Sequence, residues 1–133
     1  MDSAAGGAAR LLSALNDAAV EFRAFGYAQY LAHQAISWRE FGRLGGGTFA
    51  LGVVFDLKDD ARTEVCLAAT VGFRDDLFVV QADVMVDDRF LHELPDVDTG
   101  SLDECVAAVQ TCTAWLCSHT SVLDDLGVPT KRR

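Results

Sequence analysis

The segment Thr48–Pro95 carries the strongest structural signal in this chain, because large apolar residues recur at every second position along most of it. Residues two apart on a β-strand point to the same side, so the pattern predicts strands with two chemically different faces. One of them, here called the apolar face, is predicted to carry Phe49, Leu51, Val53, Phe55 and Leu57, then Val65, Leu67, Ala69, Val71 and Phe73, and then Phe78, Val80, Ala82, Val84 and Val86. We expect helices to cover this face.

Two turns determine how these strands pair. A two-residue hairpin turn at Asp75-Asp76 predicts that Leu67 faces Val84 on the apolar face. On the opposite face, the same register and a turn at Lys58–Arg62 bring together Cys66 with Met85, Ala68 with Asp83, Thr70 with Gln81, and Val54, Gly52 and Ala50 alongside. This second face consists of small residues around two polar groups. It is either a wetted side of the sheet or a surface that a helix, ligand or partner approaches closely.

A further two-residue turn at Asp87-Asp88 predicts Arg89–Leu94 as a fourth strand and places Asp83 opposite His92. An aspartate that binds one imidazole nitrogen fixes the tautomer and leaves the other nitrogen to move a proton. A cross-strand hydrogen bond or ion pair without chemistry explains the same pair, because no nucleophile, oxyanion donor or third partner is apparent in the sequence.

Helices are predicted on both sides of this meander. Ala8–Phe25 carries an apolar stripe, Gly26 offers a kink or stop, and Tyr27–Arg43 forms a second helical stretch with His33 off its aromatic stripe and solvated. A capping box at Ser101 begins a third helix that runs to Leu126. The predicted fold class is α+β in a single domain, 1–133, with an antiparallel four-stranded meander (48–94) flanked by two N-terminal helices (8–43) and one long C-terminal helix (101–126).

The third helix places Cys105, Cys112 and His119 in one row, and these are residue types that bind metals. Seven residues of helix rise by roughly 10 Å, so neighbours in this row are too far apart to share an ion. The row is therefore interpreted as a packing seam, either against the apolar face or against a second copy of the chain. The four cysteines form no C-x-x-C motif and are expected to be small buried hydrophobes, and we predict no metal and no cofactor.

The charge limits the classes of partner. The formal net charge is −9, with 20 acidic against 11 basic residues, which argues against nucleic acid and makes a basic protein the easier partner. No apolar run has membrane-spanning length, and Met1–Asn16 lacks the basic start and continuous apolar segment of a signal peptide. We therefore expect a cytoplasmic protein that has no membrane partner.

The order of elements resembles one known group of bacterial domains. After helices and a meander, R-F-L-H-E-L-P leads through a polar loop into S-L-D-E-C-V-A-A-V, and the pattern ends at Leu126-Gly127-Val128-Pro129. This order resembles the type III secretion chaperone-like fold, including the YbjN group, over about half of the chain. The resemblance implies an α+β layer, frequent dimers, no cofactor and no catalysis, with function through binding another protein. That fold normally returns to the sheet after its middle helix, and the resemblance transfers no functional residues.

Two functional hypotheses follow. The leading hypothesis is a non-enzymatic, acidic protein-binding module, chaperone-like or of the inhibitory immunity type, whose partner-binding residues are Thr70, Gln81, Asp83, Met85, Phe90 and His92. The alternative is a small-molecule pocket protein or cofactor-free isomerase- or cyclase-like enzyme of a biosynthetic pathway, in which Asp83 and His92 move protons. Its cavity would be closed by the two N-terminal helices and lined by Val54, Cys66, Thr70, Met85 and Phe90. A homodimer formed through Leu102–Leu126 is compatible with either.

Overall fold

The computed structural model describes residues 4–131 and shows helices packed on one side of an antiparallel sheet. The elements follow in the order α1 (Ala4–Ala32), β1 (Ile36–Gly45), β2 (Thr48–Leu57), β3 (Glu64–Arg74), β4 (Leu77–Val86), β5 (Arg89–Glu93), β6 (Val97–Thr99), α2 (Leu102–Cys117) and α3 (Val122–Asp125). The α+β class with an antiparallel sheet is confirmed. Within residues 4–131 the sheet has six strands where four were predicted, and one helix precedes it where two were predicted.

The strands lie in the order β1-β2-β3-β4-β5, and β6 pairs with β4 beyond the end of β5. The predicted pairing of β3 with β4 is confirmed, since Leu67 faces Val84 and Ala68 faces Asp83. Asp75 and Asp76 have φ angles of 53° and 61°, and two successive positive φ values are characteristic of a tight type I′ hairpin turn. The predicted pairing of β2 with β3, with Gly52 beside Ala68, is also confirmed.

Helices cover the apolar face, as the alternation predicted. Leu67 and Val84 are both 0% exposed. They belong to a core cluster that also contains Phe22 of α1 and Val109 and Leu116 of α2. Burying an aliphatic or aromatic side chain contributes about 1.5–3 kcal/mol, so this layer supplies most of the stabilising apolar contact.

The predicted second helix, Tyr27–Arg43, is wrong beyond its first turns. Helix α1 continues through Gly26 to Ala32, and the chain then turns at Ala35, whose φ of 57° is left-handed and ends the helical path. The residues that follow also fit a period of two, with Ile36 and Trp38 toward the helices and Arg39 on the other side. Pairing with β2 runs along ten residues and satisfies the backbone groups on the inner side of β1, and this tertiary contact decides between two compatible patterns.

Gly26 allows close packing and does not stop the helix. It is buried in α1, and a Cβ atom at this position would overlap the Trp38 ring and crowd Val53. We expect Gly26→Ala to lower the free energy of unfolding by about 1–2 kcal/mol, because overpacking costs more than the roughly 1 kcal/mol gained in helix propensity. Urea denaturation measures the change. Ala28→Gly, at an exposed position of α1, calibrates helix propensity, and a Gly26→Ala protein as stable as wild type would contradict the packing argument.

The C-terminal helix is shorter than the predicted 101–126. Ser101 accepts a hydrogen bond from the Glu104 N–H at 3.3 Å, which confirms the N-cap. The return bond of a capping box is not formed, because the Ser101 N–H donates to the Thr99 hydroxyl oxygen at 3.0 Å. At the other end, the Ser118 hydroxyl and the His119 ring each donate to the Trp115 carbonyl. This carbonyl lies in the last turn, where the helix supplies no backbone N–H four residues further on. The chain then turns into α3, which Gly127 closes with a φ of 83°.

The seam of α2 packs against the rest of the same chain. Cys105 and Cys112 of the row, with Val109 and Leu116 beside them on α2, are at most 3% exposed and lie in the core with the sheet. Of the two predicted roles for this seam, packing on the apolar face is therefore the one observed. The four cysteines carry free thiols.

His33, predicted to be solvated, is 3% exposed. Its Nδ1 lies 2.9 Å from the Gln29 carbonyl oxygen and its Nε2 lies 2.8 Å from Asp124 Oδ1, so both ring nitrogens are within hydrogen-bond distance of an acceptor. The C-terminal segment packs over the connection between α1 and β1. There the Gln34 N–H donates to the Pro129 carbonyl, and His33 forms a β-bridge with Thr130. The prediction failed because the cover comes from residues far away in sequence.

Candidate functional site

The side of the sheet opposite the helices, here called the open face, is the main candidate for a binding surface. The alternation along the strands places Arg39, Phe41, Arg43, Ala50, Gly52, Val54, Cys66, Ala68, Thr70, Gln81, Asp83, Met85, Phe90 and Glu93 on it. Helices α1 and α2 both pack on the apolar face, so within residues 4–131 no helix covers this surface.

The centre of the open face is apolar and poorly accessible to water even without a covering helix. Val54 is 6% exposed, and Cys66, Ala68 and Met85 around it are half-buried. Gly52 lies so close to the backbone of β3 that a Cβ atom there would overlap the Leu67 carbonyl oxygen. Small side chains therefore form a flat floor on which another surface can approach the sheet backbone closely.

Asp83 does not face His92, so the predicted acid–base pair is wrong. The register between β4 and β5 shifts by one residue, which sets Asp83 opposite Glu93 and Val84 opposite His92. Leu91 is the extra residue of this bulge, and a bulge turns the residues on either side of it to opposite faces. Asp83 and Glu93 thus share the open face, while His92 points toward the helices.

The two carboxyl groups form an uncompensated acidic pair. Burial and the nearby Glu93 charge both raise the pKa of Asp83 above its ordinary value. None of the ion pairs found among residues 4–131 involves Asp83 or Glu93. A cation supplied by another molecule would relieve this repulsion.

Thr70 and Gln81 lie side by side, as predicted, and link the open face to the β5–β6 connection. The Thr70 hydroxyl donates to Gln81 Oε1 at 3.3 Å, and Gln81 Nε2 donates to Asp96 Oδ2 at 2.9 Å. Both residues border a shallow depression of about 160 Å³ that also touches Thr48 and Arg74. It is too small for a typical ligand pocket, which spans about 300–1,000 Å³.

Met85 and Phe90 lie opposite each other on the open face, and Phe90 is 59% exposed. His92 has a different neighbourhood, since its ring lies 5.2 Å from the His119 ring, which in turn contacts Trp115. The structure thus brings together five of the six predicted binding residues and separates His92 from them. The predicted cavity closed by the N-terminal helices is wrong as well, because the helix lies on the other face.

Cys66 does not supply a nucleophile on this surface. Burial and the charges of Asp83 and Glu64 raise the pKa of its thiol to about 11. A thiol with this pKa stays protonated at neutral pH, and the thiolate is the reactive form. Within residues 4–131, no group of three or more His, Cys, Asp or Glu side chains is placed to hold a metal ion.

Four residues of the open face were missed by the sequence analysis. Arg39, Phe41 and Arg43 were assigned to a helix, although their alternation with Trp38 was visible as a signal for a strand. The predicted pairing of Asp83 with His92 implies that Glu93 lies on the apolar face, and no sequence signal indicates the bulge that moves it to the open face.

Comparison of the chain with protein families, with curated proteins and with solved structures finds no match. In the part of the chain that the structure describes, no helix has the length and apolar character needed to cross a membrane.

Proposed function

We propose that this protein is a non-catalytic protein-binding module, chaperone-like or inhibitory, and that a partner protein docks on its open face. The proposal rests on the composition of that face. Small, largely buried side chains form its centre, and the acidic pair Asp83 and Glu93 lies beside them. Protein interfaces commonly combine an apolar, desolvated core with a polar rim. A globular surface with this arrangement is suited to burial by another protein.

The acidic pair specifies the chemistry of the partner. Asp83 is half-buried, and a lysine or arginine placed beside it would replace a like-charge repulsion by an attraction. Met85 and Phe90 supply apolar contact next to this position. The partner is therefore a protein that presents a basic side chain flanked by apolar ones, in keeping with the net charge of −9.

The chaperone-like part of the proposal rests on the resemblance to the type III secretion chaperone-like group. A cytoplasmic location remains part of the same proposal.

The test is binding by open-face variants. Proteins retained by the wild-type chain from a lysate of its source organism are identified, purified and titrated against it by calorimetry. Ala68→Arg places a long charged side chain at the centre of the face, and we expect it to weaken binding by at least about tenfold, since hot spots cluster at the centre of an interface. Ala114→Arg, an exposed alanine of α2, is the matched control and leaves affinity unchanged.

Asp83→Asn separates the effect of the Asp83 charge on partner binding from its effect on the stability of the fold. Since the pKa of Asp83 is raised in the folded state, its ionised form costs stability above that pKa, and the cost disappears as the pH falls through it. The variant is thus expected to be as stable as wild type at pH 7, or slightly more stable, while its affinity for a basic partner falls.

Unchanged affinity in both Ala68→Arg and Asp83→Asn contradicts docking on the open face. A dimer that Ala68→Arg dissociates in sedimentation would identify a second copy of the chain as the occupant.

A further inference from the structure

The two edges of the sheet differ in how they are protected against pairing with another strand. The edge formed by β5 and β6 consists of pieces of five and three residues, interrupted by the bulge at Leu91 and by Pro95. The opposite edge, β1, runs for ten residues in unbroken register with β2. Short strands, bulges and prolines protect an edge, so β1 is the less protected of the two.

Half of the backbone groups of β1 point away from the sheet. The Lys58 N–H donates to the Ala35 carbonyl, so odd-numbered residues exchange hydrogen bonds with β2 and even-numbered residues point their N–H and C=O groups outward. Gly42 is one of these outward residues. Within residues 4–131, β1 pairs with no strand other than β2.

A depression of about 370 Å³ lies beside Gly42 on the helix side of this edge. Its lining combines apolar residues of α1 and β2 with Asn16 and the ion pair of Arg23 with Glu40. The apolar residues are Leu15, Ala19, Phe49 and Leu51. The absence of a side chain at Gly42 leaves this space between helix and sheet open. A residue paired with Gly42 from outside would point its side chain toward the same space, because directly opposed residues share a face.

The two arginines on the open-face side of β1, Arg39 and Arg43, differ in their carboxylate partners. Arg39 is paired with Asp56 and lies near Glu64. The Arg43 guanidinium lies 5.9 Å from the centre of the Phe41 ring and, among the described residues, has no carboxylate partner. An acidic residue opposite Arg43 would therefore complete a cross-strand ion pair.

We propose that β1 binds an extended segment of another protein as an added antiparallel strand. In the order of the bound segment, an acidic residue lies opposite Arg43 and the next residue, a large aliphatic one, lies opposite Gly42 and fills the depression. Main-chain hydrogen bonds supply affinity in this mode of recognition, and alternate side chains supply specificity. The inference is independent of docking on the open face.

A second copy of the chain fits this edge poorly. Two-fold pairing of β1 with itself centred on Phe41 brings Arg39 against Arg43, and pairing centred on Gly42 sets glycine against glycine and leaves the depression empty. Pairing centred on Glu40 brings two carboxylates together. Pairing centred on Arg43 sets Leu44 opposite Gly42 but brings two guanidinium groups together. The occupant is therefore a segment of a different protein, with the acidic and aliphatic residues in the stated order.

The test uses the full chain and the fluorescent peptide Thr-Val-Thr-Glu-Leu-Val-Thr-Val-Thr in polarisation measurements. We expect saturable binding below about 1 mM, and at least tenfold weaker binding after Glu→Lys or Leu→Ser in the peptide. Gly42→Pro removes an outward N–H while leaving the bonds to β2 intact, since proline is tolerated on an edge strand, and it weakens binding by a similar factor. Arg43→Glu does the same and restores binding to the Glu→Lys peptide.

Ala68→Arg is the control, and it leaves peptide binding unchanged because Ala68 lies on β3 and is separated from the β1 edge by β2. Gly42→Pro in turn leaves open-face docking intact, so failure of one proposal is distinguishable from failure of the other. Circular dichroism verifies the fold of each variant. The proposal is overturned if the peptide does not bind at about 1 mM, or if it binds equally well to wild type and to both Gly42→Pro and Arg43→Glu.

Discussion

Replacing Gly52 with alanine is expected to destabilise the protein by at least about 3 kcal/mol. The new methyl group would overlap the carbonyl oxygen of Leu67 and press on the backbone of Ala68. Backbone atoms of a paired strand have no rotamer to change, so β2 and β3 must separate where they join the centre of the sheet. A loss of this size is a large share of the 5–15 kcal/mol that stabilises a typical domain.

Urea denaturation followed by circular dichroism measures this loss. Gly45→Ala is the matched control, since Gly45 belongs to β1 and a Cβ atom there meets nothing within 4 Å. We expect the control to change the free energy of unfolding by less than about 0.5 kcal/mol. Gly52→Ala and Gly45→Ala proteins of equal stability would show that the strands move apart without cost.

Replacing His33 with alanine is expected to cost about 3 kcal/mol, the second large effect. The ring is buried, and its two nitrogens lie within hydrogen-bond distance of the Gln29 carbonyl and of Asp124. Its removal leaves a cavity and an acceptor without a donor. The side-chain oxygen of Gln29 is already buried without a partner within the described part of the chain, so the site has no spare donor.

Asp124→Ala distinguishes the contribution of the buried ring from that of its contact with Asp124. Asp124 is 48% exposed, so water solvates its surroundings and we expect a loss of only about 1 kcal/mol. Hydrogen exchange adds a local measurement at the junction between the end of α1 and the C-terminal segment. The Gln34 amide donates to the Pro129 carbonyl and the Lys131 amide to the Ala32 carbonyl. Both amides should exchange faster in His33→Ala. A His33→Ala protein that unfolds at the wild-type urea concentration would refute the structural role of the ring.

The middle of the fold is predictable from sequence because its information is local. Alternation fixes which side chains of β2, β3 and β4 are buried, and short turns fix which residues face each other. Asp75-Asp76 forms the two-residue turn on which the β3–β4 register depends. The choice of face for the helices follows, since Leu67 and Val84 need cover.

The ends of the fold are less predictable because competing patterns fit the same residues. Tyr27–Arg43 contains apolar residues at helical spacing, yet Ile36, Trp38 and Phe41 also fit a strand once β2 lies beside them. The break at Ala35 depends on a left-handed conformation for which alanine gives no signal. Local propensity was overridden by pairing in the sheet.

The candidate site was half predictable for the same reason. Thr70, Gln81, Asp83 and Met85 follow from the confirmed β3–β4 register, so their shared face was predicted correctly. His92 and Glu93 depend on a single inserted residue in β5, and one extra residue exchanges the faces of everything beyond it. The proton-transfer hypothesis depended on that one position.

The junction at His33 also sets an order of events during synthesis. Each hairpin of the meander joins strands that are neighbours in sequence, so it can form soon after it leaves the ribosome. The bond from Gln34 to Pro129 spans most of the chain and has to wait until Pro129 has emerged. In a nascent chain that stalls before that point, the strands of the sheet can already be paired. The C-terminal end of α1 then still lacks its contacts with the C-terminal segment.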